Sequence, residues 1–279
     1  MNTARMRILK SVPLYVFLTI AAILVAFPVF WILSISLRPN NEVITFPPRL
    51  LPQTFTLDAY KQVIESKRYV RYFINSYIVG FAVTIISVVI AIFTAYGFSR
   101  YDFRGNKAMN LFIVATQTIP RIALVIPYFI FITQLKLYDT YQGLIITFTS
   151  FTLPYAILML TGYFNSIPAD LDDAVVIDGG SRLTALWRVI VPITVPAIVS
   201  TAIYTFILAW NEFLFALTLT RSDALRTVPV GIALLKGETS YQWNVMMAIS
   251  ILATIPVLIL FLLTQRYFIS GLAAGGVKG

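Results

Sequence analysis

The 279 residues of this sequence include no cysteine and no histidine. Without cysteine there is no disulfide framework, no thiol nucleophile and no thiolate metal site. Without histidine the commonest general base and metal ligand are missing, and so is every Ser-His-Asp arrangement. A hydrolase or metalloenzyme would have to work without its usual groups, so we expect no enzyme activity in this chain.

Charge is scarce as well. Charged residues make up 12% of the chain, against about 25% in soluble domains. Hydrophobic residues make up 58%, and the mean hydropathy is +0.83. This composition indicates that lipid is the main solvent. The net charge of +9 could suit nucleic acid, but basic loops beside lipid headgroups explain it better in a membrane chain. We therefore expect a lipid bilayer around the chain and no nucleic-acid partner.

A phosphate-binding loop is also missing. Nothing in the sequence fits G-x-x-x-x-G-K-[ST], the pattern whose backbone cradles nucleotide phosphates. The run Gly179-Gly180-Ser181 is glycine-rich but has neither the spacing nor the lysine. The sequence therefore predicts that the isolated chain neither binds nor hydrolyses ATP.

Long apolar stretches are what the sequence has in abundance. Roughly 20 mostly apolar residues cross a bilayer as a helix. We predict an all-α integral membrane protein with six transmembrane helices, near residues 12–37, 72–98, 110–133, 143–163, 195–219 and 244–266. They form a single transmembrane domain, 12–266, between an N-terminal segment, 1–11, and a C-terminal tail, 267–279. The first stretch is too long for a cleaved signal peptide, so we interpret it as a retained helix.

The orientation depends on a few basic residues. Lysines and arginines divide equally between the two sides of the predicted topology, so the overall charge bias decides nothing. Arg5, Arg7 and Lys10 precede the first span, where positive charge has most weight. They favour a cytoplasmic N-terminus. An even number of spans then places the C-terminus in the cytoplasm too.

Prolines and short polar loops interrupt the apolar pattern. Pro120 and Pro127 predict a broken or kinked third span that faces protein rather than lipid, because neighbouring protein must satisfy the freed carbonyls. A simple packing kink and a break in a substrate pathway both remain open. The largest loop, residues 38–71, contains a predicted short helix at 57–66. It is too short to be a soluble domain.

The loop at residues 164–194, called the motif loop below, predicts two short helices. Ser166 is expected to cap the first, Pro168 suits its first turn, and three aspartates complement its dipole. Gly179 and Gly180 end it, and Ser181 caps the second. The apolar stripe of the second helix predicts that it lies along the membrane surface, before Pro192 and Pro196 introduce the fifth span; the stripe consists of Leu183, Leu186, Trp187 and Ile190.

The stretch from Asp173 to Pro192 resembles the coupling motif of binding-protein-dependent ABC importer permeases. That motif runs Glu-Ala-Ala, then Asp-Gly-Ala-Ser, then Ile/Val-x-Leu-Pro. The matching positions are Ala174, Asp178, Gly179, Ser181, Arg188, Val189 and Pro192, and the departures are Asp173, Val175, Gly180, Leu186 and Val191. The resemblance implies the type I importer permease fold. It also implies docking to an ATPase through Asp173, Ala174, Asp178, Gly179, Gly180, Ser181, Arg182 and Arg188. An ordinary amphipathic connector is the alternative.

Two further segments narrow the resemblance. The C-terminal run from Gln265 to Gly279 and the run from Ala209 to Phe213 are similar to the second permease of maltose-type carbohydrate importers. In that family the tail reaches the ATPase interface, which here implies contacts from Gly275, Gly276, Val277 and Lys278. The alternative is a frayed tail.

The resemblance implies a transmembrane permease subunit of an ATP-driven importer of disaccharides or oligosaccharides, located in a bacterial or archaeal cytoplasmic membrane. The expected partners are a second homologous permease, two ATPase subunits, an extracytoplasmic solute-binding protein and the sugar itself. Magnesium and ATP are expected on the ATPase, with no cofactor in this chain. A secondary transporter or channel is the alternative function, and a membrane-embedded enzyme is a third.

Polar residues inside predicted spans are candidates for the pathway. Glu212 is the one carboxylate that the prediction places well inside a span, where a charge costs about 2.5–3.5 kcal/mol on insertion scales. With Asn211 it is expected either to line the sugar path or to form a structural pair. Arg121 and Gln117 carry the same two interpretations. Trp210 is expected to stack on a sugar ring or, more simply, to pack against neighbouring spans.

Overall fold

The computed structural model describes residues 3–235 and 241–275, with side chains for 13–235 and 241–265. Its described residues form helices and connecting turns. The α-helices are α1 Thr3–Ser36, α2 Asp58–Glu65, α3 Lys67–Arg100, α4 Asn106–Thr118, α5 Val125–Gln134, α6 Tyr141–Asn165, α7 Asp170–Ile177, α8 Arg182–Ala185, α9 Val191–Trp210, α10 Leu214–Leu219, α11 Val228–Leu234 and α12 Trp243–Gly275.

Five helical segments in the described part of the chain are long and apolar enough to cross a membrane, and a sixth results if the bent pair α4–α5 counts as one span. The predicted all-helical membrane fold is confirmed. The first, second, fourth and sixth predicted spans coincide with α1, α3, α6 and α12 to within a few residues at most ends. The predicted short helix at 57–66 is α2.

The third span is broken, as its prolines predicted. α4 and α5 meet at an angle of 94°. Pro120 cannot donate a backbone hydrogen bond, and it forces the preceding Ile119 into an extended conformation, with φ −74° and ψ 125°. A 3₁₀ turn, Arg121–Leu124, then leads into α5. Pro127 lies in the first turn of α5, where a missing N–H costs nothing.

The fifth predicted span is displaced in the structure. The helix that is long and apolar enough to cross a membrane runs from Arg182 to Trp210 rather than over residues 195–219. It ends because the polar pair at 211–212 interrupts the helix before α10 begins at Leu214. The prediction that Glu212 lies well inside a span was therefore wrong. It lies in the break between two helices.

The described residues divide into two compact units. The first comprises residues 1–67 and 232–254. Within it, α1 carries an exposed apolar surface, as expected of a helix whose surroundings are lipid. Arg38 secures the end of this helix. Its guanidinium donates to the Ser34 hydroxyl at 2.7 Å and to the Arg49 carbonyl at 2.6 Å, and Asn244 donates to its carbonyl at 3.2 Å.

The second unit comprises residues 68–231 and 255–279. Its core is formed where α3, α6 and α9 pack side by side, with two apolar clusters along them. One cluster includes Ala91, Ala95, Leu160, Phe164, Leu186 and Ile190, and the other includes Val79, Val83, Leu144, Phe148, Phe215 and Leu219. Burial of these side chains holds together the helices that carry both the motif loop and the candidate pathway residues.

Candidate functional site

The first helix of the motif loop, α7, begins without a side-chain cap. Ser166 was predicted to cap it, but its hydroxyl donates to the Tyr163 carbonyl at 2.7 Å. Ser166 therefore ends α6, and Ala169 occupies the N-cap position of α7. The error has a physical origin, since a serine hydroxyl can bond backward to a helix carbonyl as readily as forward to an amide.

The end of α7 follows the glycine prediction closely. Gly179 has φ +85°, in the left-handed region that favours glycine. The Gly180 N–H donates to the Val175 carbonyl at 2.8 Å, and the Gly179 N–H donates to the Val176 carbonyl at 3.0 Å. This pair of bonds is the Schellman motif. It closes α7 and turns the chain sharply into the next helix.

The second helix is correctly capped but is not a separate surface helix. The Ser181 hydroxyl accepts from the Thr184 N–H at 3.1 Å, which confirms the cap. From Arg182 the chain passes through α8 and a π turn, Leu186–Ile190, directly into α9. The π turn ends two residues before Pro192, whose missing N–H would leave a gap in a regular α ladder.

The predicted apolar stripe of this helix divides in two. Leu186 and Ile190 are fully buried in the core of the second unit, whereas Leu183 and Trp187 are 58% and 47% exposed. Leu186 and Ile190 are buried because they pack in the apolar cluster that also contains Leu160 and Phe164 of α6.

A buried ion pair attaches α7 to α3. Arg100 Nε lies 2.8 Å from Asp172 Oδ2, and the two side chains are 5% and 0% exposed. The Tyr96 hydroxyl donates to Asp172 Oδ1 at 2.6 Å, and Arg100 also donates to the Phe164 carbonyl at 3.0 Å. The sequence prediction gave Asp172 only a dipole role. The signal that was missed is Arg100, a charge at the end of a span that needs a nearby carboxylate.

The opposite face of the motif loop is open to solvent. Asp173 pairs with Arg182 at 2.8 Å, and both side chains are about half exposed. Ile177 is 84% exposed. The other predicted docking residues on the outer surface are also exposed; they are Ala174, Asp178, Gly179, Ser181 and Arg188. Gly180 is partly covered. The structure thus leaves most of the predicted docking residues exposed.

The predicted tail contacts fall mostly beyond what the structure describes. Gly275 is the last residue of α12. Gly276, Val277 and Lys278 lie outside the described residues.

The candidate pathway residues are arranged around the break in the third span. Gln117 and Arg121 line a cleft of about 290 Å³ together with Thr116, Ile119, Leu124, Tyr128, Ser150, Phe151 and Pro154. A much smaller neighbouring cavity is lined by both Arg121 and Glu212. The described residues show no ion pair between these two side chains, since their charged atoms do not come within 4.0 Å.

The remaining pathway candidates have local roles in the structure. Glu212 accepts the Phe215 N–H at 3.1 Å and so caps the start of α10. Asn211 donates to the Ile207 carbonyl at 3.0 Å. Trp210 is 3% exposed and lies 4.9 Å from the Tyr77 ring. The packing interpretation of Trp210 is therefore confirmed, because a buried ring offers no face to a sugar.

A second polar cluster lies at the other end of α3 and was not predicted. Asp223 accepts from Tyr72 at 2.6 Å, from Arg68 at 2.9 Å and from Arg226 at 2.7 Å. Burial by itself would raise the pKa of Asp223, but these hydrogen bonds and charges outweigh it and hold the pKa below its ordinary value. The cluster secures the segment between α10 and α11 on α3.

Comparison with known proteins extends the similarity over nearly the whole chain. A family model described as the inner membrane component of binding-protein-dependent transport systems matches residues 87–273. The inner membrane ABC transporter permease protein YcjP of Escherichia coli is 38% identical over 98% of both chains. The trehalose/maltose transport system permease protein MalG of Thermococcus litoralis is 38% identical over 99% of both chains.

A solved structure agrees with the fold. A chain of a bacterial ABC transporter involved in the import of the acidic polysaccharide alginate superposes with a TM-score of 0.81 and 26% identity. The match covers 96% of the present chain and 99% of that chain. The motif loop and the broken third span therefore belong to a chain that resembles these permeases from end to end.

Proposed function

The chain belongs to the family of inner membrane components of binding-protein-dependent transport systems, and we propose that it forms half of the translocation path of a carbohydrate importer. It is a multi-pass inner membrane permease, and ATP hydrolysis takes place on a separate subunit. Carbohydrate as the substrate is supported by the trehalose/maltose permease and by the alginate transporter.

The observation that carries the proposal is the construction of the motif loop. The buried Asp172–Arg100 pair fixes α7 to α3, and the Schellman turn at Gly179 fixes α7 to the helix that becomes the next span. A force applied to the outer face of α7 would therefore reach two membrane helices without being lost in a flexible linker. Such a rigid element is what an ATPase needs to move a permease.

The proposed assembly follows from this role. A second homologous permease completes the path, two ATPase subunits bind the cytoplasmic face, and a solute-binding protein delivers the sugar on the other side. The motif loop is cytoplasmic in this arrangement, as are both termini and the tail from Gly275 to Lys278. The path itself runs past Gln117, Arg121, Asn211 and Glu212. The segments 1–11, 12–266 and 267–279 then serve as cytoplasmic N-terminus, transmembrane domain and cytoplasmic tail.

A test uses the outer face of α7. The chain is purified with the products of its neighbouring genes and reconstituted in liposomes, and ATPase recovery and ATP-dependent sugar uptake are measured. Asp173→Ala is expected to lower ATPase recovery and uptake while the subunit still inserts. Asp170→Ala is the matched control, because it removes the same charge from the same helix outside the motif and is expected to leave both intact.

Three outcomes would contradict the proposal. They are a wild-type subunit that recovers no ATPase, a saturable binding of ATP to the purified chain alone, and equal effects of the two alanine variants. The last would mean that the charge of α7 matters and the motif position does not.

A further inference from the structure

Some of the polar groups that line the 290 Å³ cleft have hydrogen-bond partners within the described residues, and others have none. The Ser150 hydroxyl donates to the Thr147 carbonyl at 2.6 Å, so the Tyr128 hydroxyl, 2.7 Å away, must donate to Ser150. The Thr116 hydroxyl donates to the Ile113 carbonyl at 2.7 Å. Because a hydroxyl carries one proton, these three side chains have no donor left for a ligand in this arrangement.

Arg121 and Gln117 differ from the hydroxyl groups. Neither side chain has a hydrogen-bond partner among the residues that the structure describes. The guanidinium carbon of Arg121 lies 5.6 Å from the centre of the Phe151 ring, a cation–π contact that leaves the N–H edges free. Arginine carries five N–H donors and glutamine two. The open N–H donors of the cleft therefore come from Arg121 and Gln117, and Arg121 adds one positive charge.

We propose that this cleft is a subsite for an anionic group, a carboxylate or sulfonate, on the carbohydrate that the permease carries. The inference rests on the proposed function and names its substrate class. A guanidinium matches the two oxygens of such a group in a bidentate geometry. A neutral sugar offers the guanidinium no opposite charge, so its hydrogen bonds to Arg121 would be weaker than those of an anion. Tyr128 and Phe151 add apolar ring surface to hold the rest of the sugar.

The position of Arg121 supports a ligand rather than a structural role. A charge within membrane-spanning structure is expensive and needs a partner or water. The break at Pro120 places Arg121 at the edge of the cleft, where it is exposed. Arg100, in the same unit, is buried and hydrogen-bonded to the Asp172 carboxylate and the Phe164 carbonyl. The Arg121 side chain, by contrast, lines the cleft.

Glu212 adds a negative charge close to the positive charge of Arg121. It lines the small cavity that Arg121 also lines, and its Oε1 atom is occupied by the Phe215 N–H. Its negative charge repels an anion bound at Arg121. A transport site must release what it binds, and Glu212 would keep the anion from binding too tightly.

The experiment measures ligand binding to the purified complex in detergent, without the solute-binding protein, so that only membrane sites are observed. D-glucuronate and D-glucose are the probes, and saturation-transfer NMR titrations give the Kd values. The wild-type complex is expected to bind glucuronate at least about tenfold more tightly than glucose, as one charge-assisted hydrogen bond suffices for that ratio. Raising the ionic strength should weaken glucuronate binding more than glucose binding.

The variants separate the two charges. Arg121→Gln is expected to reduce the preference to less than about twofold, whereas Glu212→Gln should strengthen glucuronate binding. Arg104→Gln removes the same charge from an exposed loop position outside the cleft and should change nothing. Should Arg121→Gln fail to assemble, Arg121→Lys keeps the charge but loses the fork, and it is expected to bind glucuronate more weakly than the wild type.

Equal binding of the two sugars by the wild type would overturn the proposal, as would a preference that survives Arg121→Gln. Wild-type affinity in Arg121→Lys would do the same if the glutamine variant cannot be assembled. ATPase recovery and ATP-dependent uptake are measured on the same preparations. A complex that couples ATP to sugar uptake but shows no anion preference contradicts this inference alone, and a complex without coupling contradicts the proposed function.

Discussion

Arg100 and Arg121 belong to two regions of one compact unit, and their surroundings are opposite. Arg100, beside the motif loop, is 5% exposed and bonded to Asp172 and the Phe164 carbonyl. Arg121, at the break of the third span, is exposed and faces a cleft with its N–H groups unpaired within the described residues. A paired and buried charge fixes the geometry of its neighbours. An unpaired charge at a cleft can bind a ligand that enters the cleft.

The largest expected effect comes from breaking the buried pair. Asp172→Asn leaves the Arg100 guanidinium uncompensated in the interior, which costs about 3–5 kcal/mol. We expect a large loss of thermal stability and of assembled complex, measured by fluorescence-detected size exclusion after heating.

Asp173→Asn is the matched control, one residue along the same helix. Its pair with Arg182 is exposed, and exposed pairs contribute little to stability. The variant should remain as stable as the wild type. Equal losses of stability in the two asparagine variants would mean that burial does not distinguish the two pairs.

The next effect concerns the turn that connects α7 to the following span. Gly179→Val puts a β-branched residue at φ +85°, where a left-handed conformation costs roughly 1–2 kcal/mol and often more for such a side chain. A Cβ at Gly179 would meet no atom within 4 Å, so the penalty is conformational. We expect sugar uptake to be lost while the subunit still inserts, because the second helix is displaced.

Gly162→Val is the control for the Gly179 variant. Gly162 also has open space around a Cβ, but it lies in α6 with no positive φ. Its variant should retain most uptake. Normal uptake in Gly179→Val would show that the turn does not transmit movement.

The smallest effect is expected at Glu212. Glu212→Gln keeps a carbonyl oxygen for the Phe215 N–H and removes the charge, so the loss of stability should stay below about 1 kcal/mol. We expect the complex to assemble in normal yield while the affinity or rate of uptake changes. Complex yield and uptake are measured side by side. A fall in yield would indicate that Glu212 is half of an ion pair and not part of the path.

Much of the fold was predictable because its causes are local. Apolar length identified most spans, and the proline pair identified the broken one. The Schellman turn and the Ser181 cap were predictable because glycine and serine have few alternatives at such positions. Ser166 was predicted wrongly because its hydroxyl had two equally good local partners, one on each side.

The site was less predictable than the fold because its key contacts join distant parts of the chain. Asp172 meets Arg100 across 72 positions, and nothing in the local pattern distinguishes it from Asp173, which lies on the solvent side. The end of α9 was also misplaced, since the apolar residues of α10 continue the hydropathy signal past Glu212. A hydropathy average measures how apolar a segment is, so it does not detect the three-residue break between Trp210 and Leu214.

The sequence by itself therefore determined that lipid surrounds the chain, how many long apolar segments it has, that the third span is broken and that glycines form the turn of the motif loop. Each follows from composition or from the conformational limits of single residues. Only the tertiary structure decided which carboxylate is buried, which arginine has no hydrogen-bond partner among the described residues, and that Arg121 and Glu212 border one cavity. Burial and charge pairing depend on which helices pack together, and neighbours in space are set by the whole unit.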